Sequence, residues 1–191
     1  MKAKGPAQSV LLLLDVIAVL NKHHIPYAII GAFAASFHGV VRASVDADAM
    51  ISLPSGQSDI RALLDEFQKV GLKSTYRKGD LDDPVGAVLN VEDHFKNRVD
   101  LLMNIRGLAE PVFSRTIEAN FMGARIRLIG VEDFVAMKIL AGSPKDLNDA
   151  AGVLKVSRGR LNKILLKELV RKSGRTALAK LESLLNDLST E

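Results

Sequence analysis

Residues 27–53 leave few folds open. Tyr27-Ala-Ile-Ile30 ends at Gly31, the stretch Ala32 to Phe37 is rich in small residues, and Val45 to Leu53 returns to an apolar pattern broken by Asp46 and Asp48. A short apolar run closed by glycine predicts a strand turning into a helix, and Ala32, Ala34, Ala35 and Ser36 suit a helix packed closely on a sheet. The first N–H groups of such a helix are unpaired and favour phosphate oxygens. Alternate residues of a strand share a face, so Asp46, Asp48, Met50 and Ser52 are expected on one side. Val45, Ala47, Ala49, Ile51 and Leu53 then form the core side. Carboxylates placed side by side repel, divalent cations relieve the repulsion, and magnesium suits carboxylate oxygens combined with substrate phosphates.

A chain of 191 residues admits one domain with a core, or a core with a small helical appendage. It contains no cysteine, which excludes disulfides and thiolate metal sites and fits a cytoplasmic protein. Lys2 and Lys4 precede the apolar run Val10 to Leu14, as in a signal peptide, but Asp15 interrupts the run and no small-residue cleavage site follows. The run is also far short of the roughly 20 residues a bilayer requires, so no membrane association is expected. With Ser9 as N-cap and Val10, Leu13, Leu14, Ile17 and Leu20 at helical spacing, the segment reads as a buried helix.

Farther on, Pro54-Ser55-Gly56 ends a strand, Ser58 caps a helix stopped by Gly71, and residues 73–77 form a strand. Residues 87–91 and 98–103 pair as a hairpin, 107–119 suit a helix, and 125–129 form a last strand. From Val131 the period is helical, with a break at Gly142-Ser143-Pro144 where Ser143 caps the next helix. Asp100 stands among Val99, Leu101, Leu102 and Met103. A carboxylate there is costly unless a metal shared with Asp46 and Asp48 neutralises it, or unless the strand lies at a sheet edge with access to water.

The ordered set Gly31-Ala32-Phe33-Ala34, His38-Gly39, Arg42-Ala-Ser44-Val-Asp46-Ala-Asp48 resembles the signature of the DNA polymerase beta-like nucleotidyltransferase superfamily. It is most similar to the bacterial branch related to abortive-infection toxins. In that pattern Ala32 stands where the superfamily has glycine or serine. The resemblance implies an α/β nucleotidyltransferase fold, a short mixed sheet flanked by helices over residues 1–130, with a C-terminal helical bundle over 131–191. It implies that Asp46, Asp48 and Asp100 hold two magnesium ions against a nucleoside triphosphate such as ATP. Asp100 would also help deprotonate the acceptor. Gly31, Ala32, Arg42, Ser44, Lys138, Asp146 and Asp149 would bind the nucleotide. By the residues alone, Lys138 either neutralises phosphate or lies on an exposed face. Asp146 and Asp149 either orient Lys138 or the acceptor, or only complement a helix dipole.

Between Lys155 and Arg175 there are eight basic residues and one acid, so the net charge of +4 is concentrated there. Arg160, Lys163, Lys167 and Arg171 recur at helical spacing, opposite Leu161, Ile164, Leu165 and Leu169. Such a stripe either holds a phosphodiester backbone or is a solvated helix face. Three functions are consistent with these features. One is a transferase acting on RNA, tRNA in particular, or on a protein hydroxyl, within a toxin–antitoxin pair and with the cognate protein as partner. Another is a small-molecule, aminoglycoside-type nucleotidyltransferase. The third is a catalytically weak nucleotide-binding module that acts through a protein partner.

Overall fold

The computed structural model describes residues 2–53, 57–108 and 110–188. The strand end expected at Pro54-Ser55-Gly56 lies outside them, as does the side chain of Ser58. Helix α1 (Ser9–Lys22) buries Leu12, Leu13, Val16, Ile17 and Leu20 completely or nearly so. Its first residue does not act as the cap, because Gln8 takes that position. The Ser9 hydroxyl instead donates to the carbonyl of Val45 at 2.6 Å and accepts the N–H of Arg98 at 3.1 Å. One side chain thus ties together the entries of two strands, β2 (Ala47–Ile51) and β5 (Arg98–Ile105).

These two strands run parallel at the centre of a mixed seven-stranded sheet. The order is β3 (Lys73–Lys78), β4 (Val85–Glu92), β5, β2, β1 (Tyr27–Ile29), β7 (Ala124–Leu128) and β6 (Ile117–Phe121). Strand β1 is antiparallel to β2 and parallel to β7, while β3, β4 and β5 form an antiparallel meander. Helix α3 (Gln57–Lys69) packs on β3 and buries Phe67. Its chain reversal uses Gly71, which has φ +77°.

The structure corrects the reading of residues 107–119 as a helix. A 3-10 turn, Glu110–Arg115, leads into β6, which pairs with β7 across Met122 and Gly123. Both loop residues have positive φ, the geometry of a two-residue hairpin whose twist matches its strands. Alternation and the Thr116-Ile117 pair favour a strand here, and the partly buried pair of Arg115 with Asp133 anchors the residue just before it.

Helices α4 (Val131–Ala141), α5 (Pro144–Ser157), α6 (Lys163–Arg171) and α7 (Arg175–Asp187) pack together after the sheet. Ser143 accepts the N–H of Asp146 and Pro144 opens α5, as its sequence predicts. Gly39 has φ +95°, and a Cβ there would press on Val156, so only glycine lets the chain after α2 (Gly31–Phe37) pass so close to α5. Two expectations for the basic stripe need correction. Arg160 lies in the turn before α6, and Ile164 is 75% exposed, because the buried face is Leu166, Leu169 and Val170.

Candidate active site

Strand β2 carries Asp48 and strand β5 carries Asp100 at the same register position. The parallel ladder therefore sets the two side chains next to each other on one face of the sheet. Asp46 precedes β2 in a bend, within electrostatic reach of Asp48. Other parts of the expected alternation fail. Val45, placed on the core side, is 78% exposed because the strand begins only at Ala47, and Met50, placed on the chemical side, is buried.

Gly31 opens helix α2 at φ +66°. A Cβ built on it would overlap the carboxylate of Asp48, so the absence of a side chain makes room for the acid. Burial, followed by the charges of Asp100 and Asp46, pushes the Asp48 carboxyl above its usual range, while Lys138 and Arg42 pull it back. Both cations therefore lie within electrostatic reach of Asp48.

Lys138 is only 7% exposed, so it is not a solvent-facing side chain. Its ammonium meets Asp146 Oδ1 at 2.6 Å and Asp149 Oδ2 at 3.1 Å. Asp149, 3% exposed, also takes the Nε of Arg42 at 3.1 Å through Oδ1. Asp146 is further held by the Ser143 hydroxyl at 2.6 Å. Helix α5 thus supplies two carboxylates that fix a cation from α4 and another from the loop before β2. Ser44 lies exposed in that loop, and Ala32 is buried beside Gly31. A cleft of about 420 Å³ is bordered by Ala32, Phe33, Arg42, Ser44, Asp46 and Phe121, among others.

Asp100 is not at an edge, because β5 lies between β4 and β2. What neutralises it here is Arg98. The guanidinium donates Nε to Oδ1 at 2.7 Å and a terminal nitrogen to Oδ2 at 2.8 Å, and Asn90 of β4 donates to Oδ1 at 2.7 Å. Sequence reasoning passed over both partners. Arg98 precedes Asp100 by two residues and so shares its face, and a hairpin register would have set Asn90 opposite it.

The oxygen donors of Asp46, Asp48 and Asp100 have the chemistry a magnesium ion prefers, and the upward-shifted Asp48 is a carboxylate whose repulsion a cation would relieve. Among the described residues no three His, Asp or Glu side chains are gathered as a ready metal cage. Both oxygens of Asp100 are engaged by Arg98. The basic residues Lys163, Lys167 and Arg171 project from α6 into solvent, with Arg160 exposed just before it.

No known family profile matches the sequence, and no curated protein matches it. Solved structures do match the fold. ANT(2'')-Ia in complex with adenylyl-2''-tobramycin superposes with a TM-score of 0.59 at 14% identity, over 87% of this chain and 99% of that one. The solution structure of the antibiotic-resistance factor ANT(2'')-Ia gives 0.57 at 16% identity, over 94% and 97%. An antigenic nucleotidyltransferase-like protein from Paracoccidioides brasiliensis gives 0.53 at 16% identity, over 98% and 94%. The chain therefore has the nucleotidyltransferase fold, α/β with a mixed seven-stranded sheet flanked by helices.

Proposed function

We propose that this protein is a magnesium-dependent, cytoplasmic nucleotidyltransferase. It moves a nucleoside monophosphate from a nucleoside triphosphate, with ATP the first to test, onto an acceptor hydroxyl. The observation that carries this reading is the register pairing of Asp48 with Asp100 against a glycine whose missing side chain accommodates Asp48. Magnesium held by Asp46, Asp48 and Asp100 would stabilise charge on the triphosphate and on the departing pyrophosphate.

The chain's own residues have separate tasks in this scheme. Gly31 makes room for the Asp48 carboxylate, and Ala32, Arg42 and Ser44 border the adjoining cleft. Lys138 and Arg42 bring positive charge to the triphosphate, and Asp149, shared between them, keeps the two cations in place while Asp146 secures Lys138. The acceptor oxygen attacks the α-phosphorus and forms a new O–P bond. The bond to pyrophosphate breaks, pyrophosphate leaves with its electron pair, and the hydroxyl proton passes toward Asp100 and on to water.

As acceptor the reading favours RNA, tRNA in particular, because Lys163, Lys167 and Arg171 form an exposed basic face on α6, with a protein hydroxyl within a toxin–antitoxin pair as the other acceptor of this reading. A small-molecule acceptor is the second reading, favoured by the fold likeness to a protein bound to adenylyl-2''-tobramycin. Incubation with α-labelled nucleoside triphosphates, magnesium and either tRNA or tobramycin separates the two. Label is expected on one acceptor and not with Asp48→Asn. Absence of label on both rejects these two acceptors, and equal labelling by the Asp48→Asn protein rejects the assignment.

A further inference from the structure

The face that carries Asp48 and Asp100 does not end at those residues. Pairing runs on from Asp48 to Asp100, to Asn90 and to Thr75, so one row of polar side chains crosses four strands out to the edge strand β3. A second row, Arg98, Glu92 and Lys73, lies beside it on the same face. Together Lys73, Thr75, Asn90, Glu92 and Arg98 line an open groove of about 180 Å³. Two of the five, Asn90 and Arg98, are the residues that hold the Asp100 carboxylate. The groove thus adjoins Asp100, whereas the larger cleft borders Asp46.

We propose that this groove is the acceptor subsite and that it seats one hydroxyl-bearing sugar ring with a hydroxyl directed at Asp100. The proposal deepens the nucleotidyltransferase reading and rests on it. Hydrogen-bonding chemistry argues for the class of ligand. Lys73 and Arg98 offer donors, Glu92 offers an acceptor, and Thr75 and Asn90 offer both, while no aromatic or large aliphatic side chain lines the groove. A ring bearing hydroxyl or amino groups matches such walls, and a stacked base or an alkyl tail does not. The volume is below the roughly 300–1,000 Å³ of sites that enclose a drug-sized molecule, so one ring enters and the remainder of the acceptor stays outside. A ring seated there contacts Arg98 and Asn90, the two residues that hold the Asp100 carboxylate.

The ring could belong to an amino-sugar antibiotic or to the 3'-terminal ribose of an RNA. Calorimetry on the full chain, saturated with magnesium and an ATP analogue that cannot be cleaved between the α- and β-phosphates, distinguishes them. The probes are tobramycin and the trinucleotide CCA. Thr75→Tyr fills the groove from an edge strand, where an aromatic is well tolerated, and its melting curve verifies folding. One probe is expected to bind the parent and to bind Thr75→Tyr at least tenfold more weakly, with the affinity for the magnesium–nucleotide unchanged. Lys73→Gln should weaken the same probe to a smaller degree. Binding of tobramycin assigns the small-molecule source, and binding of CCA assigns the RNA end. The proposal is overturned if neither probe binds the parent, or if the folded Thr75→Tyr protein binds its probe as the parent does. If the parent fails to bind the magnesium–nucleotide at all, the nucleotidyltransferase reading falls, and the acceptor subsite with it.

Discussion

The space a side chain would take on Gly31 is occupied by the carboxylate of Asp48. Gly31→Ala must therefore displace that acid and also hold a left-handed φ, which costs about 1–2 kcal/mol by itself. The expected result is a lower melting temperature and loss of magnesium–nucleotide binding even in the fraction that remains folded. An alanine variant that binds nucleotide like the parent would remove Gly31 from the site.

Asp48→Asn should abolish transfer while leaving metal-free protein as stable as the parent or more so, since burial and two neighbouring acids disfavour the ionised form. The carboxyl is raised above its ordinary value in the fold, so its contribution to stability is present at acid pH and is lost as pH rises. The advantage of asparagine should accordingly be larger near about pH 7 than near about pH 3, where both proteins are neutral at this position. Denaturant titrations in a chelator at the two pH values measure it. Unfolding of the variant at neutral pH would make Asp48 a structural residue.

Lys138→Met leaves Asp146 and Asp149 without their buried partner. Breaking a buried pair from one side costs on the order of 3–5 kcal/mol. Adding Asp146→Asn to Lys138→Met should recover part of that loss. Urea unfolding of the single and double variants gives the answer, and a loss below about 1 kcal/mol for Lys138→Met would mean that Arg42 alone suffices for Asp149.

For Asp146, burial raises the carboxyl, but hydrogen bonds from Lys138 and Ser143 outweigh burial and hold it below its usual range. A depressed carboxyl stabilises the fold above its unfolded value and loses that contribution as pH falls. Asp146→Asn should cost roughly 1–3 kcal/mol at neutral pH, and the two stability curves should converge in acid. Parallel curves across the whole range would contradict the assignment.

If the basic face contacts a phosphate backbone, replacing Arg160, Lys163, Lys167 and Arg171 with Gln should flatten the slope of log affinity against log salt by roughly three units. Magnesium–nucleotide binding should not change, because these side chains belong to α6 and the turn before it, whereas the carboxylates belong to β5, β2 and the bend before β2. An unchanged slope would leave the stripe as a solvated face and favour the small-molecule acceptor.

Much of this architecture was legible in local pattern. The turn from β1 into α2 at Gly31, the hairpin of β4 with β5, and the cap and proline that open α5 each depend on residues a few positions apart, so periodicity and backbone preference suffice to place them. Residues 107–119 failed because the helix-permitting stretch ends in Thr116-Ile117 and in a two-residue turn, and a partner strand decided between the alternatives. The charge network was legible only as a set of residue types. That Asn90 meets Asp100, and that Asp100 stands beside Asp48, depends on strand pairing. That Asp149 joins Arg42 to Lys138 depends on an approach across 107 residues of chain. Sequence alone determined which groups could carry charge and where the chain would turn at Gly31 and at Gly142-Ser143-Pro144. Tertiary structure decided which charges meet, because an ion pair's energy depends on separation and burial, and neither is set by distance along the chain.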